Sequence, residues 1–216
     1  MEIRRTANAG VLLKLDGVSI LLDGVSQVVE PYLATPPDIR ESLLASPPDA
    51  LVFTHTHNDH YDPVFVDEYK ASANGVIIGP EISSDKDIDL GAIQIGSVSV
   101  TPVRSRHIGK YGTISHYSYI IQGSKCIWFM GDASPLGWHK NANYPRPDIV
   151  IAPYAYGNTT SSWRSTKALG AENVILFHLP AKENDPYELW DAVKSVTANE
   201  QETKLWIPDI GQTIVL

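Results

Sequence analysis

The chain predicts a layered α/β fold in a single domain spanning residues 1–216. Three observations carry that expectation. Short apolar runs of strand length recur in both halves, with helix-patterned segments between them, the order that packs sheets against helices. One run, Ala50 to Thr54, has no polar alternation, as expected of a strand buried on both faces. With 216 residues, 43% hydrophobic and 19% charged, there is apolar side chain enough for a substantial core.

The elements follow in order. Val11 to Leu15 and Val18 to Leu22 are strands split by Asp16-Gly17, a two-residue hairpin signal. Pro36-Pro37-Asp38 opens a helix that runs to about Ala45 and is stopped by Pro47-Pro48. After the strand at Ala50, Asp62-Pro63 supplies an N-cap and a proline at the first helical position, so Val64 to Ala71 is helical. Val76 to Ile78, Ile93 to Ile95 and Ser97 to Val103 are strands. Ser115 to Gln122 and Lys125 to Met130 form a hairpin around Gly123-Ser124. Asp148 to Ala152 and Asn173 to Phe177 are short buried strands, with helices over Ser161 to Leu169 and Pro186 to Val196.

Composition excludes several functions. A net charge of −8 without a basic patch argues against a nucleic-acid partner, whose phosphates require clustered Lys and Arg. The single cysteine, Cys126, lies in an apolar strand and reads as a buried thiol, which rules out an internal disulfide. No apolar stretch approaches the ~18 residues of a membrane span, and Lys14, Asp16 and Asp23 interrupt any signal-peptide core, so a cytoplasmic protein is expected. Oligomeric state is left open, homo-oligomers included.

The decisive segment is His55-Thr56-His57-Asn58-Asp59-His60, placed directly after the strand Ala50 to Thr54. Given seven histidines and fifteen aspartates, chance produces this pattern in roughly 1 in 2,000 such chains. It delivers three imidazoles and a carboxylate, all divalent-metal ligands, to one strand end. An open hydrolytic site for two metals needs about six or seven protein ligands. His107, Asp132 and His178 are candidates, each immediately past an apolar run. Taken singly each has an ordinary explanation: a surface histidine among cations, a turn aspartate after Gly131, a histidine satisfied at a strand end. Their shared placement after strands is what selects them. His116 falls within a strand and reads as structural.

The order Asp23, His-x-His-x-Asp-His, His107, Gly131-Asp132, His178 resembles the metallo-β-lactamase-fold hydrolase superfamily over nearly the whole chain. Asn8-Ala9-Gly10 is similar to its N-terminal opening. Small size and the hairpin before Gly131-Asp132 are most similar to the branch of ascorbate-6-phosphate lactonase and N-acyl-phosphatidylethanolamine phospholipase D. The resemblance implies a four-layer αββα sandwich of two mixed β-sheets, with metals at the edge where the sheets meet. It implies that His55, His57 and His107 hold one metal, that Asp59, His60 and His178 hold the other, and that Asp132 bridges them. Asp23 becomes a structural carboxylate beneath the site.

Such a site implies a hydrolase in which a bridging hydroxide attacks an ester, lactone or phosphodiester of a small anionic substrate. Two divalent ions are expected, zinc before manganese or iron given the nitrogen and oxygen donors. Asp59 is the expected catalytic residue, a ligand able to guide the water's proton. Arg106 and Lys110, with Arg104, are candidate anion contacts near His107. Trp138, His139, Tyr154 and Tyr156 are candidate pocket residues in the loops after Asp132 and Pro153. The alternatives are a mononuclear iron oxygenase of the persulfide-dioxygenase type, which uses part of the ligand set, and a non-catalytic metal-binding module. The diiron oxygen-reducing branch carries Glu where this chain has His57.

Overall fold

The computed structural model describes residues 1–82, 85, 88, 91–138 and 143–216. Two mixed sheets stack with helices on both outer faces. The first sheet has the order β13-β1-β2-β3-β4-β5, with β1 (Glu2–Arg5), β2 (Val11–Leu15), β3 (Val18–Leu22), β4 (Ala50–Val52), β5 (Val76–Ile78) and β13 (Thr213–Val215). Its antiparallel part begins with the β2–β3 hairpin. Asp16 and Gly17 adopt φ of 51° and 81°, the two positive angles of a turn whose twist suits the flanking strands. β3, β4 and β5 then run parallel, which places their C-terminal ends along one edge.

The second sheet has the order β12-β11-β10-β9-β8-β7-β6, with β6 (Ile93–Ile95), β7 (Val98–Arg104), β8 (Tyr117–Gln122), β9 (Cys126–Phe129), β10 (Ile149–Pro153), β11 (Asn173–Phe177) and β12 (Lys204–Trp206). β9 through β12 are parallel and the remainder antiparallel.

Alternation along the strands creates three apolar layers. Ile20, Leu22, Val52, Phe129, Ile151, Ile175 and Phe177 face each other between the sheets, and Phe129 stacks on Phe177 at 5.6 Å. The opposite residues, Leu21 and Leu51, meet Ile39 and Leu43 of α1 (Pro37–Ala45) and Phe65 and Tyr69 of α2 (Pro63–Ser72). Val150, Val174 and Leu176 meet Trp163 of α3 (Thr160–Lys167) and Val193 of α4 (Leu189–Thr197). Burial of both faces explains why these strands read as continuous apolar runs. The expected four-layer αββα sandwich is the observed fold. α2 starts as its sequence dictates: the Asp62 carboxylate accepts from Val64 N at 3.0 Å, with Pro63 at the first position.

β1, β12 and β13 were not expected. Three of the four residues of β1 are charged, and its Arg5 is buried, donating to the carbonyls of Ala7, Asn8, Leu179 and Pro208. β12 and β13 are three-residue strands pairing at the ends of their sheets, too short to show a period. Among the described residues no helix is long and apolar enough to cross a membrane.

Candidate metal centre

The site lies at the edge reached by the C-terminal ends of β3, β4, β7, β9 and β11, which deliver Asp23, His55, His107, Asp132 and His178. His57, Asp59 and His60 follow in the loop after β4. His55, His60, His107, Asp132 and His178 are all buried, and His57 and Asp59 are half-buried.

Seven ligand-type side chains form two clusters around one oxygen. The donor atoms of His55, His57 and His107 lie within 4.8 Å of one another, as do those of Asp59, His60 and His178. Asp132 Oδ2 stands between them, 3.5 Å from His107 Nε2, 3.5 Å from His60 Nε2 and 3.7 Å from His178 Nε2. Asp59 Oδ2 is 3.2 Å from His178 Nε2. A third grouping, Asp23 with His55 and His60, is of another kind. The Asp23 carboxylate already accepts from Thr54 N at 2.8 Å, Thr54 Oγ1 at 2.6 Å and His60 Nδ1 at 2.9 Å. It orients the cluster from beneath.

These hydrogen bonds fix the tautomers. Thr54 has one hydroxyl proton and gives it to Asp23, so His55 Nδ1, 2.9 Å from Thr54 Oγ1, must be the donor. His107 Nδ1 faces only the Ile108 carbonyl, at 2.8 Å, and must also donate. In the neutral form each ring therefore leaves Nε2 as a free acceptor directed into the site. Those two nitrogens and Asp132 Oδ1 are buried atoms without a hydrogen-bond partner. Orphaned acceptors carry a desolvation cost of about 1–3 kcal/mol each. Unpartnered acceptors on two rings of one cluster and on the neighbouring carboxylate fit a cation, which would satisfy them. His116 plays a supporting part. Its Nε2 accepts from Asp132 N at 3.0 Å while Nδ1 contacts Ser105 Oγ at 2.7 Å, holding the loop that carries Asp132.

Electrostatics agree. Burial and the neighbouring His60 hold His55 well below the ordinary histidine value, and burial with His107 lowers His57. Burial alone would lower His60 too, but Asp132 and Asp23 on its two sides raise it. Asp132, despite a burial that would raise it, is held low by His178 and His60. Asp59 is held at about 2, because its hydrogen bond to His178 and the nearby His60 and His178 together outweigh the burial that would raise it.

Two backbone features sharpen the placement. His178 has φ of 61°, uncommon without glycine, and is fixed there by donation from its N–H to Asn8 O at 3.0 Å. Gly131 has φ of 53°, and a Cβ there would lie 2.5 Å from the Thr54 side chain. Gly131→Ala is expected to cost about 1–3 kcal/mol and to weaken metal retention by displacing Thr54, measurable as a lowered melting temperature together with metal loss.

The cleft over the clusters has a volume of about 680 Å³ and includes Tyr32, Asn58, Lys110, Tyr111 and Tyr154 in its walls. Lys110 and Tyr154 thus reach the place expected of them. Arg106 does not line the cleft. Trp138 and Tyr156 do not either: both are buried in the layer beneath, their Nε1–H and O–H donating to Ser134 O. His139 lies outside the described residues. Tyr32 and Tyr111 were missed, although each touches a cluster. Tyr32 meets the His178 ring edge-on at 4.6 Å, and Tyr111 meets that of His57 at 5.0 Å. Only a tyrosine beside a proline, and one near His107, marked them in the sequence.

Comparison with known proteins agrees with this architecture. Residues 2–175 match the family model described as the beta-lactamase superfamily domain. The chain belongs to the β-lactamase superfamily. No curated protein sequence matches it. Among solved structures it is similar to a possible metal-dependent hydrolase from Veillonella parvula DSM 2008, with TM-score 0.74 and 15% identity over 100% of this chain and 99% of that one. It is also similar to isothiocyanate hydrolase from Delia radicum gut bacteria, with TM-score 0.68 and 18% identity over 100% and 99%. CmlA, a diiron β-hydroxylase from Streptomyces venezuelae, gives TM-score 0.67 and 17% identity over 100% of this chain and 54% of that one. At these identities the likeness is one of fold, a fold seen with both hydrolytic and oxidative chemistry.

Proposed function

We propose that the protein is a metal-dependent hydrolase whose two clusters hold two divalent ions and which cleaves an ester, lactone or phosphodiester of a small anionic substrate. One observation carries this reading: two three-residue clusters flank one carboxylate oxygen, and two imidazole nitrogens of the first cluster are buried without a hydrogen-bond partner. His55, His57 and His107 would hold one ion, and Asp59, His60 and His178 the other, with Asp132 between. Zinc suits three-nitrogen and mixed nitrogen–oxygen sets best. Two such ions supply a hydroxide at neutral pH and Lewis-acid contacts for developing negative charge.

The protein's own residues do the rest. Asp23 and Thr54 fix the rings of His60 and His55. Asp59, ionised throughout the neutral range, is placed to accept and guide the water's proton. Lys110, at the cleft wall, draws an anionic substrate towards the centre. A complete set of seven favours hydrolysis over an oxygenase that uses only part of it.

The test is elemental analysis of protein purified without added metal, beside His107→Ala. About two zinc or manganese ions per chain, falling clearly in the variant, are expected, with hydrolysis of phosphodiester or lactone probes by the parent protein. A single iron, insensitive to the substitution, points to the oxygenase instead. Absence of metal, with none taken up on titration, removes the mechanism.

His60 provides a pH signature. In chelator-stripped protein its raised value means a bound proton at neutral pH, and a metal ion must displace it. The sign is therefore uptake that tightens as pH rises. In the metal-free protein the His60 contribution to stability is full below the unfolded value of about 6.5 and lost as pH passes the raised folded value. Titrating zinc calorimetrically in buffers of different ionisation heat is expected to show about one proton released for the second-cluster ion.

A further inference from the structure

β9, β10 and β11 lie side by side and parallel, and the outer two lead into Asp132 and His178. Pro153 of β10 pairs with Phe177 of β11, so the next residues, Tyr154 and His178, stand at the same level. Where its neighbours present ligand-type side chains, β10 presents a phenol. The Tyr154 ring lines the cleft and stands 6.3 Å from that of His178.

The opposite wall supplies a second phenol. The loop after β3 doubles back through the Val29–Tyr32 bridge and brings Tyr32 onto the His178 ring edge-on at 4.6 Å. Gln27 N–H donates to Asn58 O at 2.7 Å, tying this loop to the one that carries the ligand-type residues. The Tyr32 and Tyr154 hydroxyls lie close enough for each to perturb the other. A phenol of ordinary acidity keeps its proton at neutral pH. Two hydroxyls carry two protons, and one bond between them would use only one. If Tyr32 donates to Tyr154, the Tyr154 proton is left for the cleft.

We infer that Tyr154 is a catalytic residue that donates its O–H to a negatively charged oxygen of the substrate bound over the Asp59–His60–His178 cluster, and that Tyr32 is the positioning residue that aims it. The inference rests on the metal-dependent reading above. It narrows the substrate to one with a carbonyl or phosphoryl oxygen that carries or gains negative charge beside that cluster. A neutral donor fixed in advance suits this task, because it stabilises charge where charge appears without reorganising.

Inorganic phosphate, a tetrahedral oxyanion, is the probe. It is titrated into zinc-loaded wild type, Tyr154→Phe, Tyr32→Phe and the double variant, with zinc content measured on each sample. Phenylalanine keeps the ring contacts with His178 and removes only the hydroxyl. Unchanged zinc content is expected in all four. Phosphate affinity is expected to fall about tenfold or more in Tyr154→Phe, as for a hydrogen bond to a charged group, and less in Tyr32→Phe. The double variant is expected to match Tyr154→Phe, because Tyr32 acts only through its partner, a coupling that simple packing would not produce. Full zinc content with unaltered phosphate affinity in Tyr154→Phe overturns the inference and leaves the metal reading intact. Additive losses overturn the part given to Tyr32. Zinc uptake by the wild type without phosphate binding overturns the inference alone, whereas failure to take up zinc overturns both.

Discussion

Asp132→Ala is expected to empty both clusters and to lower turnover by roughly 10³-fold or more, the several kcal/mol that a metal contributes to charge stabilisation. The reason is position. One oxygen, Oδ2, lies 3.5–3.7 Å from imidazole nitrogens of both clusters, on His107, His60 and His178. Its removal leaves each cluster with three donors and takes away the negative charge that offsets two cations in a buried space. His107→Ala, by contrast, belongs to one cluster and is expected to release mainly that ion. The fold is a fair control, because the loop's anchor is the backbone N–H of residue 132 donating to His116 Nε2, which alanine retains. Metal content and rate measured on both variants decide the matter. Equal metal loss in the two, or retention of both ions in Asp132→Ala, would remove the shared-ligand assignment.

The fold and the grouping of these side chains are largely legible in the sequence, and the limits of that reading have a physical cause. Ligand chemistry is written in residue type and in placement after an apolar strand, and both can be read from the chain. His55, His107, Asp132 and His178 all follow runs that fold as β4, β7, β9 and β11. Converging at one edge follows from parallel connection, which sends strand ends the same way. Direction within an irregular loop is not written so plainly. Tyr154 and Tyr156 are two residues apart after the same strand, yet one faces the cleft and the other is fully buried with its hydroxyl on Ser134 O. Trp138 is turned inward onto the same carbonyl. Nothing local distinguishes them, because a single tight turn decides which aromatic meets solvent. Arg5 illustrates the same limit. Its charge argues for the surface, and four backbone carbonyls, two of them distant in sequence, override it.

Asp23 carries the other large expectation, although it touches neither ion site. Its side chain is fully buried and accepts three hydrogen bonds, two from Thr54 and one from His60. Through Thr54 it also sets the tautomer of His55. One carboxylate therefore orients a ring in each cluster. Asp23→Asn is the informative substitution. Residue 23 has φ of 46°, which asparagine tolerates, so the backbone is spared. An amide, however, cannot accept from all three donors, since its NH₂ faces at least one of them. Metal affinity is expected to fall about 10–100-fold, as when an outer partner of a ligating histidine is lost. Asp23→Ala goes further, leaving three buried donors, two on Thr54 and one on His60, without their acceptor, which costs about 3 kcal/mol or more. In a domain of this size that corresponds to roughly 10 °C in melting temperature. A chelator-competition titration reads the first effect and thermal unfolding the second. If Asp23→Asn held zinc as tightly as the parent, His60 and His55 would be oriented by packing alone, and the carboxylate would be a folding element that merely lies beneath the site.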